Sequence, residues 1–250
     1  MGVSGDLFKL IREQRFEAAG VALESGLLQA PDDPEILHWL GFVRLRQGKN
    51  QEALQFMQQA LRAQPENTTF LVNYGVALTS CDRPGEAARH LRNALAIDPK
   101  LPSAHNNLAN ALRGLGQVDE AGQHYEAALA LRPGLPEAHN NLANIRKEQG
   151  EGASAFWHYR KAIELRSEFR EAFSNLLAMT RLNESLSPDE AFAFHRLFGE
   201  RFEKPLKKYW APAQKFCGDP ARKLRVGYLS PDCHPAALFF LDPVLSNHDR

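Results

Sequence analysis

Residues 102–135 read PSAHNNLANALRGLGQVDEAGQHYEAALALRPGL and residues 136–169 read PEAHNNLANIRKEQGEGASAFWHYRKAIELRSEF, with AHNNLAN repeated letter for letter at 104–110 and 138–144. The interval is 34 residues, and it extends outward from this pair. Pro31, Pro65, Pro99 and Pro133 keep it, with Ser167 at the next step. So do Ala53, Ala87, Ala121 and Ala155, and Ala60, Ala94, Ala128 and Ala162. Gly48, Gly116 and Gly150 hold the same phase, with Asp82 filling the missing step. The pattern predicts two helices per unit. Alanine at two fixed places lets their backbones approach closely, the glycine supplies the left-handed conformation that ends the first helix, and the proline stops the second.

A 34-residue unit with these small residues, turn glycine and terminal proline resembles the tetratricopeptide repeat. Taking Pro34 as position 1, the expected organisation is a degenerate N-terminal repeat over 1–33, with Ala19 in the column of Ala53. Four repeats follow over 34–169, then a partial fifth repeat and capping helix over 170–210. No unit can bury its apolar face alone, so the expected fold is an all-α, right-handed superhelix, an α-solenoid with one continuous core. In the last part, Ser187, Pro188 and Glu190 form a capping-box pattern. The helix it opens carries Phe192, His195, Leu197, Phe198 and Phe202, apolar surface to close the end of the array.

Composition excludes several classes of function. Thirty basic residues balance thirty acidic ones, which argues against nucleic acid or an anionic membrane surface as partner, since both favour a basic excess. No run of eighteen apolar residues could span a bilayer, the N-terminus lacks a secretory pattern, and Asp6 stands where a myristoylation signal needs Ser or Thr. Cys81, Cys217 and Cys233 are odd in number without CxxC spacing. The expectation is a cytoplasmic protein with reduced thiols.

Helical bookkeeping at 100° per residue sets the core columns of the first helix at positions 4, 7, 8 and 11, and positions 2, 6, 9 and 13 on the opposite face. That face lines the inner groove of such an array. Position 6 reads Trp39, Asn73, Asn107, Asn141 and Asn175; position 9 adds Asn110 and Asn144, and position 5 adds Asn106 and Asn140 on the flank. Asparagine is a mediocre helix former, yet a primary amide can pair with both the N–H and the C=O of an extended peptide. These eight asparagines are therefore candidate peptide-binding residues for extended polypeptide partners, the alternative being plain inheritance of a common repeat residue. Trp39 and Phe42, on the same face one repeat earlier, are expected to be apolar contacts at the groove's far end or simply cover for the first repeat. His90, His124 and His158 form a column at position 23, but packed helices lie about 8–10 Å apart, so no shared metal site is expected. His105 and His139, at position 4, read as inter-helix histidines. GLGQVD at 114–119 lacks the third glycine and preceding strand of a dinucleotide site.

After a Pro- and Gly-interrupted linker at 211–222, KLRVGYLSPD alternates like a strand and HPAALFFLDPVLSNHD reads as a helix, so 223–250 is expected to be a truncated, Rossmann-like α/β beginning. LRVGYLSPD, the HP pair and FFLDPVLSNHDR, following such repeats and a HRLFGERF helix, resemble the junction of repeat arm and first catalytic lobe in the bacterial-type O-linked N-acetylglucosamine transferase family. The resemblance implies the substrate-recruiting arm of a protein O-glycosyltransferase, which moves N-acetylglucosamine from UDP-GlcNAc to Ser or Thr of proteins. It implies a nucleotide sugar as donor, none of whose pocket falls within these residues, so that the chain alone is expected to be inactive. It also implies a catalytic role for His234, although only Cys233 separates it from Asp232, a shorter turn than in the family. The residues themselves equally allow His234 to cap the following helix. The alternatives are a non-enzymatic adaptor for protein–protein interaction, or the same family with another donor such as GDP-fucose.

Overall fold

A computed structural model describes residues 5–180 and 186–209, and every regular element among them is helical. The expected linker at 211–222, the strand–helix beginning at 223–250 and His234 lie outside the described residues. Twelve α-helices are described, in the order α1 (Gly5–Arg12), α2 (Phe16–Gln29), α3 (Pro34–Arg46), α4 (Asn50–Ala63), α5 (Thr68–Ser80), α6 (Pro84–Ile97), α7 (Pro102–Gly114), α8 (Val118–Leu131), α9 (Pro136–Glu148), α10 (Gly152–Leu165), α11 (Arg170–Thr180) and α12 (Pro188–Phe198). A π-helical turn, Gly199–Glu203, and a 3-10 segment, Lys204–Tyr209, follow. Each helix packs on the next in sequence, and the first helices of neighbouring repeats also touch, α3 on α5 and α5 on α7. The result is a helical solenoid. Among the described residues, no helix is long and apolar enough to cross a membrane.

The periodic residues perform the tasks their chemistry suggests. Ala53, Ala87, Ala121 and Ala155, with Ala60, Ala94, Ala128 and Ala162, are completely buried. A larger side chain at any of them would push paired helices apart. Gly41 fills a similar role, because a Cβ there would lie 3.0 Å from the Ala53 carbonyl oxygen. Gly48, Gly116 and Gly150 have φ of 77°, 75° and 81°, ending α3, α7 and α9. Asp82 takes the same left-handed turn with φ 57°, and so does Gln14, one period before Gly48. The column therefore continues into the first helix pair, α1 and α2, where the sequence shows no glycine. Each of α2, α4, α6 and α8 stops two residues before its proline, as expected where proline disfavours helix in the residue before it.

Two departures from the expected core stand out. Position 11, apolar as Leu78 and Leu112, is Arg44 in the first repeat and Arg146 in the fourth. Arg44 is buried and bridges three helices, pairing with Glu24 and with Glu52 (3.1 Å), and donating to Gln47 (2.7 Å). Arg146 repeats the device with Glu126, Glu151 and Gln149. At the other end, the capping box of α12 forms, the Ser187 hydroxyl accepting from the Glu190 amide and the Glu190 carboxylate from the Ser187 amide. The array's end is covered by Phe194, which packs edge-on against Phe156, and by Phe198 and Phe202 against Phe173. Phe192, His195 and Leu197, expected in that role, are exposed.

Replacing Ala121 by Leu should cost about 1–3 kcal/mol through overpacking, measured by urea denaturation. A change within error would mean that helices α7 and α8 are not held at the separation alanine permits.

Candidate functional site

The asparagines occupy α5, α7, α9 and α11, where the 34-residue period stacks them repeat on repeat. Seven of the eight, Asn73, Asn106, Asn107, Asn110, Asn141, Asn144 and Asn175, are half-buried, and Asn140 is buried. They are not independent surface amides. The Asn110 side-chain oxygen accepts from the Tyr125 hydroxyl (2.5 Å) and from the Asn141 amide one repeat on (3.0 Å). The Asn144 oxygen accepts likewise from the Tyr159 hydroxyl (2.6 Å) and from Asn175 (3.4 Å). Both lone pairs of each position-9 oxygen are thus engaged, which fixes the amide's orientation. The NH2 groups of Asn110 and Asn144 have no partner among the described residues, and neither does the oxygen of Asn175 or any polar atom of Asn107. Arg113 donates to the Asn141 oxygen at 3.4 Å.

Asn140 and Asn73 do other work. Asn140, expected on the flank of the lining, is a link between repeats: it donates to Glu171 (3.3 Å) and accepts from Asn175 (3.2 Å). Its burial accompanies these two contacts with α11 of the next repeat. Asn73 lies 3.0 Å from His38 Nε2, whose ring stacks on Phe70 (4.3 Å between centroids). Asn106 leaves a buried side-chain oxygen unpaired. At the N-terminal end of the row, Trp39 meets Phe8 and Phe42 edge to face, replacing amides by aromatic surface.

Sequence reasoning missed the two tyrosines, although Tyr125 and Tyr159 share a phase. Both are fully buried, and burial pushes their hydroxyls up to about 12. They stay protonated and serve as fixed donors beneath the asparagines.

The histidines pair within repeats rather than along the ladder. His105 Nε2 donates to the Pro99 carbonyl (3.0 Å), so its Nδ1 accepts from His124 Nδ1 (2.9 Å). His139 repeats the arrangement with Pro133 (3.1 Å) and His158 (2.9 Å). Among the described residues no group of three or more His, Cys, Asp or Glu could hold a metal ion. Burial lowers His158 to about 4, with a lesser push from His139 and Arg146, and burial alone lowers His38 to about 4.

Family models of the tetratricopeptide repeat match residues 10–69 and 82–124, and 40–102, and a TPR-repeat model matches 109–150. The chain belongs to the tetratricopeptide-repeat family. No curated protein matches it significantly in sequence. Among solved structures, a thermophilic TPR protein of Thermus thermophilus is similar with a TM-score of 0.61 at 23% identity, over 70% of this chain and 95% of that one. PilW, a type IV pilus biogenesis factor, gives 0.70 at 20% identity, over 81% and 94%. Pseudomonas aeruginosa PilF gives 0.69 at 18%, over 82% and 94%. At such identities the likeness is one of fold. For a tetratricopeptide-repeat array, the tyrosine-anchored amide row is the feature particular to repeats three and four.

Two measurements check this geometry. Asn144→Ala, which strands the buried Tyr159 hydroxyl, should cost about 1–3 kcal/mol, whereas Tyr159→Phe should cost nearer 1; a double-mutant cycle giving no coupling would mean the contact is absent in solution. Acidification should also destabilise the fold. His38 and His158 stay neutral when folded, while the unfolded chain takes up protons below about 6.5. The unfolded state therefore binds more protons between about pH 6.5 and 4, and stability falls as pH drops through that window. His38→Phe should flatten the profile of unfolding free energy against pH; an unchanged profile would show that His38 is not held neutral.

Proposed function

We propose that this chain captures extended polypeptides by their backbones, acting as a protein-interaction module. The observation that carries this is the half-used state of the asparagine row. Each position-9 amide spends its oxygen on a buried tyrosine and on the next repeat's asparagine, and keeps an NH2 group that the described residues leave unpaired. A donor oriented in this way loses little freedom on binding, and preorganisation of that kind raises affinity. Because the row carries neutral amides, it suits the N–H and C=O groups common to every peptide rather than a particular side chain. One net hydrogen bond contributes only about 1 kcal/mol, so capture needs several repeats acting together. Trp39 and Phe42 would add apolar contact at the N-terminal end.

A second reading rests on the sequence of residues 224–250, whose resemblance suggests that the array is the acceptor-recruiting arm of a protein O-GlcNAc transferase-like enzyme using UDP-GlcNAc. His234 would then sit near the reacting sugar. GDP-fucose is the alternative donor. A coding sequence continuing beyond Arg250 with alternating strands and helices would favour this enzyme, and a stop codon there the adaptor.

Asn144→Asp keeps an oxygen for Tyr159 and Asn175 but replaces the unpaired NH2 by a carboxylate oxygen. With Asn107→Ala it should weaken binding of a labelled neutral peptide at least about tenfold, read by fluorescence anisotropy, with the circular dichroism spectrum unchanged. Alternate N-methylation of the peptide backbone, which removes the N–H groups that the Asn107 and Asn175 oxygens would accept from, should weaken binding, and scrambling its side chains should not. The reverse result would refute backbone capture.

A further inference from the structure

A cleft of about 540 Å³ opens between α4 and α6, over the faces of Leu71 and Tyr74 on α5. It lies on a different side of α5 from Asn73, among the second helices of the repeats, so it is separate from the amide row. Three guanidinium groups, Arg62, Arg83 and Arg89, line it. Arg83 is held by Glu86 through two bonds of 2.6 and 2.8 Å. Arg62 and Arg89 have no carboxylate partner among the described residues, and both are exposed. Burial raises the Tyr74 hydroxyl and Glu86 adds to the rise, while Arg83, Arg89 and Arg62 oppose it. His90, which packs edge-on against Tyr74 (5.0 Å), also lines the cleft and has a buried Nδ1 without a hydrogen-bond partner.

The repeat supplies an internal comparison. The equivalent cleft two repeats on, between α8 and α10, measures about 300 Å³ and is lined by Glu126, Leu129, Ala130, Pro133, His139, Leu142, Trp157 and His158. There Ala130 stands in the column of Arg62, Trp157 in that of Arg89 and Glu151 in that of Arg83. The α4–α6 cleft carries three arginines against one acid, Glu86, whereas the α8–α10 cleft is lined by Glu126 and no arginine, in a chain whose formal charge is zero. The architecture of the repeat therefore does not require these arginines.

We propose that the α4–α6 cleft is a second binding site, which takes an acidic segment of a protein partner by its carboxylates. Planar guanidinium groups match carboxylates with two parallel hydrogen bonds. Leu54, Leu61 and Pro65 give apolar wall for the aliphatic stems of glutamate side chains. Most of the wall is exposed side chains, whereas sites for small molecules bury most of their ligand. An open cleft between two helices favours a chain that continues along it over a free anion.

The test is an anisotropy titration of a labelled octaglutamate peptide against the 250-residue chain at fixed ionic strength. The variants are Arg62→Gln/Arg89→Gln, and Arg132→Gln as a control for non-specific charge. Arg62 and Arg89 hold nothing else in place among the described residues, so the double variant should unfold at the parent's temperature. The proposal expects saturable binding, weakened about tenfold or more in the double variant and unchanged in Arg132→Gln. Failure of octaglutamate to bind would overturn it. So would equal affinity in the double variant, or an equal loss in the control. Inorganic pyrophosphate binding that depends on Arg62 and Arg89, with no peptide binding, would overturn it in favour of a small-anion site.

Discussion

The close approach of paired helices at the two alanine columns is the constraint on which everything else depends. Eight alanines, from Ala53 to Ala162, have no accessible surface. Their small size sets the distance at which leucine, tyrosine and phenylalanine from adjoining helices can interlock. Because the constraint recurs every 34 residues, each repeat meets the next with nearly the same geometry. A side chain placed at one position is thus carried along the array in a fixed spatial relation to its copies.

The amide row follows from that regularity. Tyr125 and Tyr159 reach the asparagines of their own repeats, and these in turn reach the next repeat. Buried tyrosine hydroxyls need a partner, and the position-9 oxygen supplies one. The cost of placing asparagine in a helix is thereby offset by satisfying a buried donor. The orientation that results leaves the other end of the amide available, so one arrangement serves both packing and the proposed recognition of peptide backbone. Where the first repeats lack the tyrosine, with Met57 and Leu91 in its column, position 9 is Phe42 and Val76, and the row gives way to apolar surface.

Histidines and arginines show how substitution within a fixed frame creates local chemistry. His105 and His139 occupy a core column, where an imidazole needs two partners, and the Pro99 and Pro133 carbonyls and the neighbouring histidines provide them. Arg44 and Arg146 replace core leucines and gather carboxylates from both sides. Sequence reading places an apolar residue in that column because Leu78 and Leu112 hold it in the middle repeats. The signal that could have corrected it is the matching phase of Glu24 with Glu126, each twenty residues before its arginine.

By itself the sequence determined the all-helical solenoid, the turn at Gly48, Asp82, Gly116 and Gly150, and the burial of the alanine columns. These are local or periodic effects, in which backbone sterics and apolar spacing act within one repeat and recur. It did not determine which atoms of the asparagines are used. Whether Asn140 is sealed between repeats, whether the NH2 groups of Asn110 and Asn144 lack a partner among the described residues, and whether Arg62 and Arg89 line one cleft depend on groups about one repeat apart. Only the packed distance between helices brings such groups within hydrogen-bonding or Coulombic range, and that distance is a property of the tertiary structure.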